Sequence, residues 1–147
     1  MSTELYDTKL FLARLQQEED HFTILLESYT TAWNSGNLDA IMGFFVEDGL
    51  DYSDYGVMHL HMNKSALREF FSGFSSACKD MKIKTRAIHG MHNFCVWETL
   101  TEFTVLEEIE AMPFKRGEKA SLLCASLIWW NDEDQIVKEV DYAVWNK

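Results

Sequence analysis

Positive charge is what this chain has least of. Thirteen lysines and arginines stand against 24 aspartates and glutamates, a net charge of −11. No nucleic-acid or anionic-membrane partner is expected, because nothing would neutralise the phosphates. The densest basic group, Lys82, Lys84 and Arg86, alternates along the chain and reads as the solvated side of a strand. Proline occurs once and glycine seven times, which leaves little room for linkers or disorder. No apolar run approaches the roughly 20 residues of a membrane-spanning helix. The opening MSTELYDTKLFLARLQQEED is acidic and amphipathic, which argues against a signal peptide. Cys78, Cys95 and Cys124 have no CxxC spacing, so free buried thiols in a reducing compartment are expected, and with them a cytoplasmic location. Gly-rich phosphate loops and nucleophile elbows are missing too.

What is present suits a globular fold. Residues 1–147 are expected to form a single domain, long enough to bury a sizeable core. Leu5 to Ser35 reads as a helix, with Asp7 or Thr8 at its start and Leu12, Leu15, Phe22, Leu25, Leu26, Tyr29 and Trp33 on one face. Gly36 is its natural stop, and Asn37 or Asp39 starts a second helix expected over Leu38 to Phe45. Leu50 to Val57 is extended. Asn63 caps a third helix with Leu67, Phe70, Phe71 and Phe74 inside. The pattern then changes to period two: Met81 to Ala87, then long strands over Phe94–Leu106, Lys119–Trp130 and Gln135–Trp145. Helices first and long strands afterwards imply an α+β fold.

The helix-turn-helix text YTTAWNSGNLDAIMGFFVEDG, the helix start MNKSALREFF and the ending QIVKEVDYAVW together resemble the NTF2-like superfamily, which includes SnoaL-like polyketide cyclases and ketosteroid isomerases. The resemblance runs from about Phe22 to Trp145. It implies a cone: a curved mixed or antiparallel sheet with about three N-terminal helices packed in its concavity around a deep apolar pocket. It also implies a cofactor-independent enzyme of secondary, natural-product metabolism. Such an enzyme would be a cyclase, isomerase or dehydratase, moving a proton on a hydrophobic polyketide- or terpenoid-like substrate. Two further readings stay open, a non-catalytic module that binds a small molecule or protein, and an epoxide hydrolase. Tyr29 matches the oxyanion-binding tyrosine of ketosteroid isomerases. Their general base falls on Ser53 without gaps, bracketed by Asp51 and Asp54. Asp141-Tyr142 matches a catalytic-aspartate pattern of limonene-epoxide-hydrolase-like members, but the stretch WETLTEF offers Thr99 and Thr101 in place of their Arg and second Asp.

The residues themselves narrow the candidates. Asp51 and Asp54 are an odd number of positions apart, so a regular strand turns only one of them inward. Asp141 shares a strand face with Val137, Glu139, Ala143 and Trp145, where a carboxylate needs a partner or a task. His89 is a candidate acid beside these groups. Substrate contacts are expected from Trp33, His59, His61, Phe74, Trp97, Glu98 and Trp129. The spacing of His59 and His61 also suits a metal, yet no further ligands accompany it, so no metal is expected. Surplus apolar surface on the long strands suggests a homodimer joined through the open face of the sheet.

Overall fold

The computed structural model describes residues 8–147. Asp7, one of the two expected helix starts, therefore lies outside the described residues. Helix α1 (Thr8–Ser35) buries Phe22, Leu26, Tyr29 and Ala32, the three- and four-residue steps of one helical face. Leu12 was expected on that face but is 56% exposed. His92, at the tip of a hairpin beneath the helix, lies 3.6 Å from Glu18. Leu10 and Phe11 in the turns before Glu18 are exposed as well, at 59% and 55%. Further along, Gly90 lets the helix sit directly on its strand: a Cβ there would fall 2.6 Å from the Phe22 ring.

Gly36 ends α1 at φ +70°, a conformation that glycine adopts without strain. Asn37 then caps α2 (Leu38–Met42), its side chain accepting from the Ala40 N–H at 3.1 Å. This helix is shorter than expected because the sheet captures the next residues. The Phe44 carbonyl accepts from the Ile136 N–H at 2.7 Å, and Phe45 forms a parallel bridge to Ile136.

The remaining elements are β1 (Asp51–Asp54), β2 (His59–Met62), α3 (Lys64–Ala77), β3 (Cys78–Met91), β4 (Phe94–Val105), β5 (Lys119–Trp130) and β6 (Ile136–Trp145). Asn63 caps α3 as expected, through the Ala66 N–H at 2.9 Å. The six strands form one sheet in the order β2-β1-β6-β5-β4-β3. Every pairing is antiparallel except β1 with β6. The architecture is α+β, three helices against a curved mixed sheet.

Two apolar clusters divide the interior. The larger joins α1, α2 and α3 to Cys95, Trp97, Ile128, Trp130 and Ile136. In an unbroken strand Ile136 would share the outer face of Lys138 and Val140. A register shift between Trp129 and Trp130 turns it inward, where it is fully buried. The smaller cluster, at the other end, gathers Ala77, Cys78, Phe103, Val105, Met112, Phe114 and Ala120. Among the described residues, no helix is long and apolar enough to cross a membrane.

Candidate active site

The parallel pairing of β1 with β6 builds the site. It sets Tyr52 opposite Glu139 and Asp54 opposite Asp141. Residues two apart on a strand face the same way, so all four side chains turn to the face covered by the helices. They line a cavity of about 100 Å³ at the seam between the two apolar clusters. Tyr29 and Trp33 close it from α1, and Phe70, Phe71 and Phe74 from α3. Trp97, Thr99, Thr101, Leu122 and Cys124 form the opposite wall.

The polar groups are held tightly. The Tyr52 hydroxyl donates to Asp141 Oδ2. The Gly56 N–H donates to Asp54 Oδ1 at 2.8 Å. Four buried side-chain atoms among the described residues find no partner: Tyr29 Oη, Glu139 Oε1, Asp141 Oδ1 and Trp145 Nε1. All four residues line this one cavity. Buried polar atoms are nearly always paired, and clusters of exceptions gather at functional sites.

Burial dominates the acid–base character here. It pushes Asp54 up from 3.8 to about 6, with the charge of Asp141 adding to it and the Gly56 and Val57 amides opposing. Burial, followed by the charge of Asp141, raises Glu139 well above the carboxylate range. Asp141 is also raised by burial, but the polar groups of Glu139, Tyr52 and Ser126 pull it back. Burial raises both carboxyls, so the pair holds a shared proton, because two carboxylates this close cannot both ionise cheaply. Tyr29 and Tyr52 are pushed upward by burial and by these carboxylates, so both stay neutral donors. Burial likewise holds the Cys124 thiol protonated, which removes it as a nucleophile.

The structure brings Tyr29, Trp33, Asp54, Phe74, Trp97 and Asp141 together and separates the other candidates. Asp51 faces the other way, 3.0 Å from His61 Nδ1, because it stands an odd number of residues from Asp54. His61 is solvent-exposed, its backbone in the left-handed region at φ 54° where β2 slips register against β1. His59 lies outside the inner cavity with its ring 4.8 Å from Phe70. His89 is exposed and lies 3.7 Å from Glu19 of α1, so it is no acid of this site. Glu98 occupies the outward face of β4. Trp129 is outward too, with the Lys138 ammonium 4.9 Å over its ring, whereas Trp130 takes the inward place. No group of three or more His, Cys, Asp or Glu among the described residues is arranged to hold a metal. No arginine lines the cavity, so the epoxide-hydrolase set stays incomplete.

Sequence reasoning passed over Glu139 and Tyr52. Both were visible as partners in phase: Glu139 is two residues before Asp141, and Tyr52 two before Asp54. What the sequence could not supply was the β1–β6 register that sets the two pairs side by side.

Comparison with known proteins bears on the family and the fold. The family model described as a SnoaL-like domain matches residues 26–139. A cyclase of Calcarisporium arbuscula, aurE, is 24% identical over 108 residues, covering 74% of this chain and 75% of that protein. SalBIII, an epoxide hydrolase/cyclase-like enzyme of pyran ring formation in the polyether salinomycin, superposes with a TM-score of 0.68 at 16% identity, over 88% of this chain and 94% of its own. A protein of ketosteroid isomerase-like fold from Catenulispora acidiphila gives a TM-score of 0.65 at 14% identity, over 80% of this chain and 83% of its own.

Proposed function

The chain belongs to the SnoaL-like domain family, and from that premise we propose that it is a cofactor-independent enzyme of natural-product metabolism, a cyclase or isomerase acting on a hydrophobic polyketide- or terpenoid-like molecule. One observation carries the reading. Three carboxyl groups and two neutral phenols converge on a small apolar cavity, and the buried polar atoms without partners all belong to residues lining it. A core that only held the fold together would gain by replacing these groups with apolar ones.

The chemistry follows from the pKa order. Asp54, ionised above about pH 6, accepts a proton from a carbon beside a carbonyl. The C–H electron pair moves towards the carbonyl oxygen, where the unspent Tyr29 hydroxyl donates a hydrogen bond to the developing oxyanion. The resulting enolate carbon attacks a second electrophilic carbon of the same molecule, or is reprotonated elsewhere. In cyclisation the proton of the Glu139–Asp141 pair goes to the oxygen that gains charge and Asp54 returns its own to the pair; in isomerisation Asp54 delivers its proton to the new carbon and the pair keeps its own. No atom is gained or lost, and the apolar walls hold the flexible chain in a reactive conformation.

That balance supplies the test. Purified protein is incubated with neutral polyketide and terpenoid carbonyl compounds, and products are followed by mass spectrometry. An isomeric product of unchanged mass is expected. Loss of one water would indicate dehydration, and gain of one water from an epoxide would restore the hydrolase reading. Binding without any conversion across the panel, by a protein shown to be folded, would leave a carrier rather than an enzyme.

We also propose that two copies associate through the outer face of the sheet. Cross-strand rows there are largely apolar: Val96 beside Leu127 beside Val140, and Leu100 beside Leu123 beside Val144. Tyr142 is 53% and Val144 64% exposed. A continuous apolar patch of this kind marks an interface more often than bare surface. Sedimentation at micromolar concentration should show a dimer, and Leu127→Glu should convert it to monomer. A wild-type monomer under those conditions removes the proposal.

A further inference from the structure

The inner cavity, at about 100 Å³, is small beside the roughly 300 Å³ at which ligand pockets begin. A second cavity of about 630 Å³ adjoins it. The two share Gly56, Val57, Phe70, Phe74 and Trp145 as common walls. The outer one is bounded by the turn 56–59, the α3 face around Gly73, and the loop 109–112 between β4 and β5. Its floor is apolar, with Phe70, Phe74, Ile109 and Met112. Among the described residues, the charged side chains lining it are Glu69 and Glu110, with the His59 imidazole beside them.

Gly73 is informative. It stands within α3, where glycine costs about 1 kcal/mol in helix propensity relative to alanine. A Cβ at Gly73 would meet nothing within 4 Å, so packing of the chain does not require glycine there. What the missing side chain leaves is open volume in the outer cavity.

From this geometry we infer that the outer cavity is a second substrate subsite, which holds a long, neutral, apolar arm of the molecule whose reacting end occupies the inner cavity. Gly73 sets the length and bulk of that arm. Neutrality follows from the glutamates beside the opening and the net charge of −11, which disfavour a carboxylate or phosphate there. The proposal rests on the enzymatic reading for the word substrate, but the subsite itself is a matter of binding.

The test uses calorimetry with 3-alkylcyclohex-2-enones, whose ring suits the inner cavity and whose chain can be lengthened one carbon at a time. Affinity of the wild-type protein should tighten about three- to fourfold per methylene until the outer cavity is filled. An otherwise equal chain ending in a carboxylate should bind more weakly. In Gly73→Phe the dependence on chain length should disappear while the unsubstituted ring binds as before, and Gly73→Ala should behave as wild type for short chains. Should Gly73→Phe not fold, Ile109→Trp blocks the same volume from the facing loop. Equal length dependence in blocked and unblocked proteins, or none in the wild type, overturns the subsite. Retained length dependence with no turnover of any compound would instead overturn the enzymatic reading alone.

Discussion

In Asp141→Asn, turnover should fall about a hundredfold or more, the usual scale for losing a general acid–base group. Asp141 is 7% exposed, hydrogen-bonded to Tyr52 and paired in register with Asp54. Asparagine preserves the shape and the acceptor for Tyr52 but removes the carboxyl that shares a proton with Glu139. The residual activity should carry a second signature. The charge of Asp141 helps to raise Asp54, so its removal should move the acidic limb of the pH–rate profile downward from about 6. A side chain that merely supported the fold would change stability without moving that limb. Asp51→Asn is the control and should keep full activity, because Asp51 faces His61 on the other side of the strand. Near-normal turnover in Asp141→Asn would assign the chemistry to Asp54 alone. Normal turnover in both Asp141→Asn and Asp54→Asn would end the carboxylate mechanism.

Asp54→Asn should abolish most turnover and, at neutral pH, stabilise the protein. The carboxyl is raised from 3.8 to about 6 in the folded state. The folded protein therefore binds this proton more tightly than the unfolded chain does. The associated stability is fully present below about pH 4 and is lost as pH rises through about 6, a difference of at most about 3 kcal/mol for two pKa units. Glu139 and Asp141 are raised as well and act with the same sign. Wild-type protein should thus melt at higher temperature at about pH 5 than at pH 7. Asp54→Asn should melt above wild type at pH 7, with the gap closing on acidification. Calorimetry across this range decides the matter. A wild-type melting temperature that falls steadily from neutral to about pH 5, with the variant parallel to it, would contradict the raised carboxyl.

Much of the fold was legible because its signals are local. Gly36 and Asn37 stop one helix and start the next, and Asn63 caps the third. The period-two pattern of β4 buries Trp97, Thr99 and Thr101 on one face. The site was legible only in halves. Asp141 stood out because its neighbours on one face are apolar, whereas the odd spacing of Asp51 and Asp54 said that one of them turns inward but not which. Their meeting depends on a parallel pairing that no local pattern encodes. The histidines misled for a similar reason. His89 lies near Glu19 of α1, a contact set by how the helix crosses the hairpin. Trp129 and Trp130 had to diverge, but only the register shift beside them decides which turns inward.

The β1–β6 pairing also fixes when the site can exist. Tyr52 and Asp141 are 89 residues apart in sequence, with β2, α3, β3, β4 and β5 between their strands. Closing so long a loop is entropically slow relative to forming β3–β4 or β4–β5. During synthesis, β1 must wait with its polar edge unpaired until β6 has left the ribosome. Its short length, four residues, limits the hazard of pairing with the wrong partner in that interval. Catalytic competence would then appear in the last step of folding. Refolding followed by recovery of activity should therefore lag behind the gain of helical signal, and an agent that traps the chain before β6 docks would leave a protein with helices, hairpins and no acid pair.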